Sequence, residues 1–329
     1  MPKQRAMLMA MLTVILAVVL TACGGNDKQD ETKEVSGPKN ESYTVKHAMG
    51  ETEIPSTPKK VVILTNEGTE ALLAMDVKPV GAVQSWLGDP WYDHIADDMK
   101  NVEVVGTESE INLEAIAAVQ PDLIIGNKLR QEKLYDQLSE IAPTVFSETL
   151  RGDWKENFSL YAKALNREDK AKEVLSQYDQ KVNDLKEKLG DKTNQEVSIV
   201  RFMAGVTRIY YTDSFSGVIF DELGFKRAKH QATLFTDENK LGNLAVEVGK
   251  EAIPEMDADA LFYFTYAPKG DNKALSTEKE WTGDPLWKNL NAVKEGNAHQ
   301  VDDATWNTAG GVIAANIMLD DIEKIFLGN

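Results

Sequence analysis

Among 329 residues there is one cysteine, Cys23, and there are only four histidines, His47, His94, His230 and His299. A single cysteine cannot form a disulfide framework within its own chain. The histidines are scattered, with no pair at ligand spacing, so a His-rich zinc or manganese site is not expected, and only carboxylates remain for a hard cation. No G-x-x-x-x-G-K-[ST] loop and no G-x-G-x-x-G turn occurs, which leaves nucleotide phosphates without a visible cradle. No G-x-S-x-G elbow presents a nucleophile. Basic residues are in the minority, 36 Lys and Arg against 53 Asp and Glu, for a formal charge of −17. Such a body repels nucleic acid and anionic lipid headgroups, so basic residues gathered in one place imply a ligand. The chain reads as a non-enzyme, with no catalytic group and no cofactor of its own.

A membrane-spanning run is also missing. The apolar stretch Ala6 to Leu20 is shorter than the ~20 residues a spanning helix needs. Lys3 and Arg5 precede it and Leu20-Thr21-Ala22-Cys23 follows at once, the layout of an export signal ending in a lipobox. Cleavage before Cys23 and attachment of diacylglycerol to its thiol give an otherwise unpaired cysteine a purpose. Residues 1–22 are therefore predicted to be a lipoprotein signal peptide, with the mature chain held at the outer face of the cell membrane by lipid alone. Loss of Lys3 and Arg5 moves the charge from −17 to −19. Residues 23–42 hold almost no large apolar side chain and are predicted to be a disordered tether.

Beyond the tether, β-branched runs alternate with helical patterns. Val61 to Leu64, Val80 to Val83, Val102 to Val105, Leu123 to Gly126 and Thr144 to Phe146 are strand-like. Glu70 to Met75, Leu113 to Val119 and Glu132 to Ile141 are amphipathic. The same grammar restarts after residue 195 with Val197 to Met203, Arg208 to Tyr211, Leu261 to Tyr266 and His299 to Val301. A local echo joins the halves: Glu114-Ala115-Ile116 leads to Asp122 and a strand, and Glu251-Ala252-Ile253 leads to Asp259 and a strand at the same spacing. From Glu168 to Leu189 apolar residues recur at threes and fours with no Gly or Pro. Asn166 with Asp169 is expected to cap the start of this helix and Gly190 its end. The pattern predicts an α/β fold of two lobes with mostly parallel central sheets, 43–165 and 192–329, joined by one long rigid helix within 166–191.

Four stretches carry a resemblance to a known family: PKKVVIL with ALLAMDVKPVGAVQSW, INLEAIAAVQPDLIIGNKLRQEKLYDQLSEIAPTV, RIYYTDSFSGVIFDELGFKR, and WKNLNAVKEGNAHQVDDATWNTAGG. In that order they resemble the siderophore-binding lipoproteins, substrate receptors of iron ABC transporters. The QSW, NKLRQEKLYDQL and TWN segments look most like receptors for citrate-based siderophores. The resemblance implies a ligand cleft between the lobes, a ferric siderophore of hydroxamate or carboxylate type as cargo, a monomer, and handover to a permease served by a separate ATPase. Iron would enter only as the siderophore complex. The same fold serves other cargo, namely haem, cobalamin, a catecholate siderophore or ferric citrate itself. A metal-dependent hydrolase on this scaffold would need an arranged base or nucleophile, and a surface sensor or adhesion module would not need charges gathered in a cleft.

A ferric citrate-type chelate is anionic and rich in oxygen, so its receptor calls for guanidinium forks and hydroxyl or amide donors. Lys128 and Arg130 lie just past the strand Leu123 to Gly126, where open α/β sheets place ligand contacts. Arg201 is the one charge in Val197 to Val206, costly unless an anion meets it. Arg208 and Tyr210 follow on the next strand. Trp86 and Trp306 are candidate plates lining the cleft, with Asn307 adding an amide. Trp91, Tyr92 and Tyr211 could serve likewise. Each arginine could alternatively form a structural salt bridge, and each tryptophan could belong to the core. By the same resemblance, one carboxylate per lobe docks on the permease, with Glu70 and Glu222 in the matching neighbourhoods and Glu67 and Asp221 as alternatives.

Overall fold

The structure, a computed structural model, describes residues 41–328. Cys23, the signal peptide and most of the tether lie outside the described residues. The first set of β-branched runs forms a five-stranded parallel sheet in the order Glu103–Val104, Gly81–Ala82, Val61–Ile63, Leu123–Asn127, Thr144–Ser147. The central Val61–Ile63 and Leu123–Asn127 are buried at every residue, as expected of parallel strands covered on both faces. The second sheet runs Ala245–Val248, Val206–Tyr210, Glu196–Met203, Ala260–Thr265, Ala298–Gln300, and Lys226–Arg227 pairs with the start of Glu196–Met203. Val206–Tyr210 is antiparallel to both neighbours; the other pairings are parallel. Sequence patterning had not indicated the short strands Lys226–Arg227 and Ala245–Val248, nor the hairpin Tyr43–His47 with Gly50–Ile54, because their apolar alternation is weak.

The sequence echo has a structural counterpart. Asp122 Oδ2 accepts from the backbone N–H groups of Lys59 (2.8 Å) and Lys60 (3.0 Å), just before Val61–Ile63. Asp259 Oδ2 accepts from Glu196 N–H (2.8 Å), the first residue of Glu196–Met203. In each half the aspartate ahead of one strand satisfies the exposed start of its neighbour, so the two units share a plan.

The helix Glu168–Leu189 spans its expected residues and buries Ala171, Tyr178, Val182, Leu185 and Leu189. At 1.5 Å per residue its 22 residues extend roughly 33 Å. Gly190, at φ +53, ends it. Its start differs from expectation. Arg167 is the capping residue and makes no side-chain cap bond. Asn166 instead ends the preceding helix Trp154–Leu165 in a left-handed conformation, its amide donating to Thr57 (2.7 Å). The helix expected at Glu70–Met75 begins earlier, as Asn66–Ala74 with Thr65 capping Gly68 N–H. The segment expected as Glu132 to Ile141 breaks into Lys128–Gln131, the 3₁₀ turn Glu132–Leu134 and Tyr135–Ile141.

A second helix also crosses between the halves. Val312–Leu327 follows the second sheet in sequence but packs on both Asn66–Ala74 and Glu168–Leu189. One continuous apolar core therefore runs from Val61, Ile63 and Leu123 through Trp154, Tyr178 and Val312 to Phe220, Phe262 and Phe264. Smaller clusters cover the remaining face of each sheet.

Candidate functional site

In both sheets the parallel strands deliver their carboxyl ends to one cleft, where side chains are free of the backbone ladder. The first sheet supplies Glu67, Trp86, Glu108 and Arg130, and the segment after Thr144–Ser147 adds Arg151. The second supplies Arg201, Arg208, Tyr210 and Tyr266, and the segment Asn307–Gly310 completes the lining. Four guanidiniums thus share one cavity in a chain that is acidic overall.

Three of the four have a carboxylate. Arg201, 8% exposed, donates from Nε and Nη2 to Asp303 at 2.6 and 2.9 Å and from Nη1 to the Tyr210 hydroxyl at 3.2 Å. Its guanidinium lies over the Tyr266 ring, 4.7 Å from the centroid. Burial opposes the Arg201 charge, but Asp303 and Tyr210 outweigh that penalty and hold it cationic more firmly than usual. Arg208 stands directly opposite Arg201 across the antiparallel pair, a like-charge juxtaposition that costs stability unless neutralised. Glu247, opposite Arg208 on its other side, accepts from it at 2.6 and 3.1 Å. Arg130 Nε lies 3.6 Å from Glu108, and its guanidinium is 5.9 Å from the Trp86 ring centroid.

Arg151 differs: no carboxylate lies within ion-pair distance of it among the described residues. Its backbone is left-handed, at φ +79. Burial first, then the positive charges of Arg130 and Arg208, lower its pKa. Two carboxyls line the same floor. Glu108 accepts from the Asn66 backbone (2.7 Å) and side-chain amide (2.9 Å), and burial nonetheless raises its pKa. Glu67 is 5% exposed at the cavity floor, with only long contacts from Asn157 Nδ2 (3.3 Å) and the Tyr161 hydroxyl (3.4 Å). Burial pushes its carboxyl up to about 8 against the pull of Asn157, with the Glu108 charge adding to the rise.

Of the residues singled out from sequence, Trp86, Arg130, Arg201, Arg208, Tyr210 and Asn307 line the cavity. Lys128 does not; it points outward and pairs with Glu148 at 2.7 Å. Trp306 is 0% exposed, its Nε1 donating to Asp321 (2.9 Å) and its ring stacked on Phe262. The π-helical turn Ala304–Thr308 faces Trp306 into the core while Asn307 and Thr308 reach the cleft. Trp91 and Tyr92 are core residues, and Tyr211 stacks on Phe235 away from the cavity. Glu70 is a clear correction. It is 0% exposed, accepts from Ala314 N–H (2.9 Å) and contacts His94 Nε2 (2.5 Å), so it joins two helices and cannot meet a partner. Glu222, its side chain 23% exposed, is engaged by Lys155 and the Tyr178 hydroxyl, each at 2.7 Å. Glu67 is in the cleft floor, whereas Asp221 is exposed.

Sequence reading missed Glu108, Arg151 and Tyr266. Arg151 was within reach of the rule that found Arg130, since it follows the carboxyl end of the neighbouring strand. No group of three or more His, Cys, Asp or Glu that could hold a metal occurs among the described residues.

A cleft between two sheets, lined by guanidiniums and aromatic faces, has the form of a small-ligand binding site, and its cationic side chains suit an anion. Residues 61–305 match the Periplasmic binding protein family, and the chain belongs to that family. It is 57% identical, over 99% of both chains, to the probable siderophore-binding lipoprotein YfiY of Bacillus subtilis. It is 31% identical to the Fe(3+)-citrate-binding protein YfmC of the same organism, over 96% of each chain. The structure of Staphylococcus aureus SirA complexed with staphyloferrin B is similar at a TM-score of 0.79 and 39% identity, covering 87% of this chain and 98% of that one.

Proposed function

We propose that this chain is the lipid-anchored, extracellular receptor of an iron ABC transporter and that its cargo is an anionic ferric siderophore of citrate-based type. The observation that carries this reading is the convergence of Arg130, Arg151, Arg201 and Arg208 on one cleft, with Arg151 left for the ligand. Oxygen-rich anions suit such forks, and the Trp86 and Tyr266 faces can cover the apolar arms of a chelate. The relatives named above for siderophore and ferric-citrate binding support the cargo class. Tryptophan fluorescence titration with ferric citrate, a citrate-hydroxamate iron complex and a ferric catecholate tests it. Tightest binding of a citrate-based complex is the expected result; a preference for the catecholate or for an iron-free ligand would overturn the cargo.

Handover to a permease calls for exposed carboxylates on both sides of the cleft mouth. Glu114 and Glu251 occupy equivalent places in the two repeated units. Each is exposed, in the first turn of the helical segment that follows a strand's carboxyl end on the cleft side. We assign docking to this pair in place of Glu70 and Glu222. Glu114→Ala with Glu251→Ala is expected to abolish iron uptake in cells while leaving siderophore affinity intact; equal loss of both would refute the assignment.

A further inference from the structure

Charge bookkeeping in the cleft leaves one acid and one base without a partner. Arg201 is met by Asp303, Arg208 by Glu247 and Arg130 by Glu108. Arg151 and Glu67 remain, both lining the cavity and not within ion-pair distance of each other. If all four carboxyls were ionised against the four guanidiniums, the cleft would be neutral and would offer an anion little. A proton on one carboxyl leaves a net charge of +1. Glu67 is the group placed to hold it. It is buried, it has no cation at bonding distance among the described residues, and the charge of Glu108 acts on it from the neighbouring loop. Asp153, ahead of the helix Trp154–Leu165, adds a second negative charge to its surroundings. That helix otherwise offers Glu67 only Asn157 and the Tyr161 hydroxyl, itself kept neutral by burial. On its remaining side the segment Thr308–Gly311 contains no ionisable group.

We infer that Glu67 is a proton-bearing residue of the ligand cleft: in its neutral form it leaves the cleft cationic and presents a carboxylic O–H to an oxygen of the bound anion, so that ligand capture is linked to one proton. The inference rests on the reading of the cleft as the site of an anionic chelate. Its upward-shifted carboxyl places the titration near the pH of the medium. Below that range the acid binds as a donor. Above it, Glu67 ionises, cancels the Arg151 charge and turns a donor into a carboxylate facing the ligand's own oxygens.

Two measurements on the purified mature protein test this. The first needs no ligand: carboxyl-carbon NMR of wild type against Glu67→Gln, a near-isosteric mimic of the protonated acid, with thermal unfolding confirming that the variant is folded. The resonance absent from the variant is expected to titrate near pH 8. Titration in the ordinary carboxylate range overturns the inference. The second is affinity for ferric citrate from pH 6 to 10, expressed as the ratio of wild-type to variant Kd so that changes in iron speciation cancel. With one linked proton the ratio is expected to stay flat below about pH 8 and rise roughly tenfold per pH unit above it. A flat ratio throughout overturns the coupling. If neither protein binds ferric citrate or the citrate-hydroxamate complex, the cargo reading fails, and the NMR titration still decides whether Glu67 holds the proton.

Discussion

Two arginines in one cleft are expected to respond to truncation in opposite ways, because one is half of a buried ion pair and the other is not. Arg201→Ala strands Asp303, whose side chain is 1% exposed and which gains both bonds of its bidentate pairing from Arg201. Removing one partner of such a pair typically costs about 3–5 kcal/mol, because an uncompensated charge is left inside. With roughly 2–4 °C of Tm per kcal/mol for a chain of this order of size, the ligand-free protein is expected to melt on the order of 6–20 °C lower. Arg151→Ala leaves no buried carboxylate behind and relieves repulsion from Arg130 and Arg208. Its stability is expected to stay within about 0.5 kcal/mol of wild type. Its affinity is expected to fall, since a charge-assisted contact is worth about 1.5–3 kcal/mol, on the order of ten- to hundredfold in Kd. Calorimetric unfolding without ligand and fluorescence titration with a citrate-hydroxamate iron complex separate the two effects. An Arg201→Ala protein that melts with wild type, or an Arg151→Ala protein that binds with wild type, would refute the division of roles.

Three further outcomes follow from individual contacts. Glu70→Ala removes the acceptor of Ala314 N–H and the partner of His94; a loss of about 1–3 kcal/mol is expected in urea unfolding, with siderophore affinity retained. Gly311→Ala would place a Cβ 2.6 Å from Glu70 Cβ and Oε2 and 3.0 Å from the Glu67 carbonyl oxygen; overpacking at about 1–3 kcal/mol is expected to lower Tm. Cys23→Ala is expected to release the protein from membranes or leave the precursor uncleaved without altering affinity in the purified domain, a result that mass spectrometry and cell fractionation check together.

The α/β architecture was legible because parallel strands buried on both faces must be written as apolar runs, and Val61–Ile63 and Leu123–Asn127 are. The long helix was legible because 22 uninterrupted residues kept one period. What escaped reading depended on tertiary partners. Asn166 has the chemistry of a helix start, but a left-handed conformation next to Thr57 makes it a helix end. Trp306 and Asn307 are adjacent in sequence, and only the π-helical turn decides which faces the ligand. Glu67, Glu70 and Glu108 look like any surface acids of an acidic chain, and their burial is invisible without the segments that fold over them.

The path of the core also bears on how the cleft can work. Were Glu168–Leu189 the single link, the two sheets could rotate about one rod. Val312–Leu327 adds a second, and its first turn is tied to Asn66–Ala74 through Glu70, the helix that also carries Glu67 into the cleft. Across the rim, Lys269 and Asp89 pair at 2.6 Å, but both are well exposed, and water and salt screen most of the attraction in a pair of that kind. Opening the rim therefore costs little, whereas separating the shared core of Trp154, Tyr178, Val312 and Phe220 would expose several large side chains at about 1.5–3 kcal/mol each. Ligand entry is therefore expected to move the rim loops and the side chains of the floor more than the two sheets, so that the charge state proposed for Glu67, beside Glu108 and the four arginines, bears on what the cleft retains.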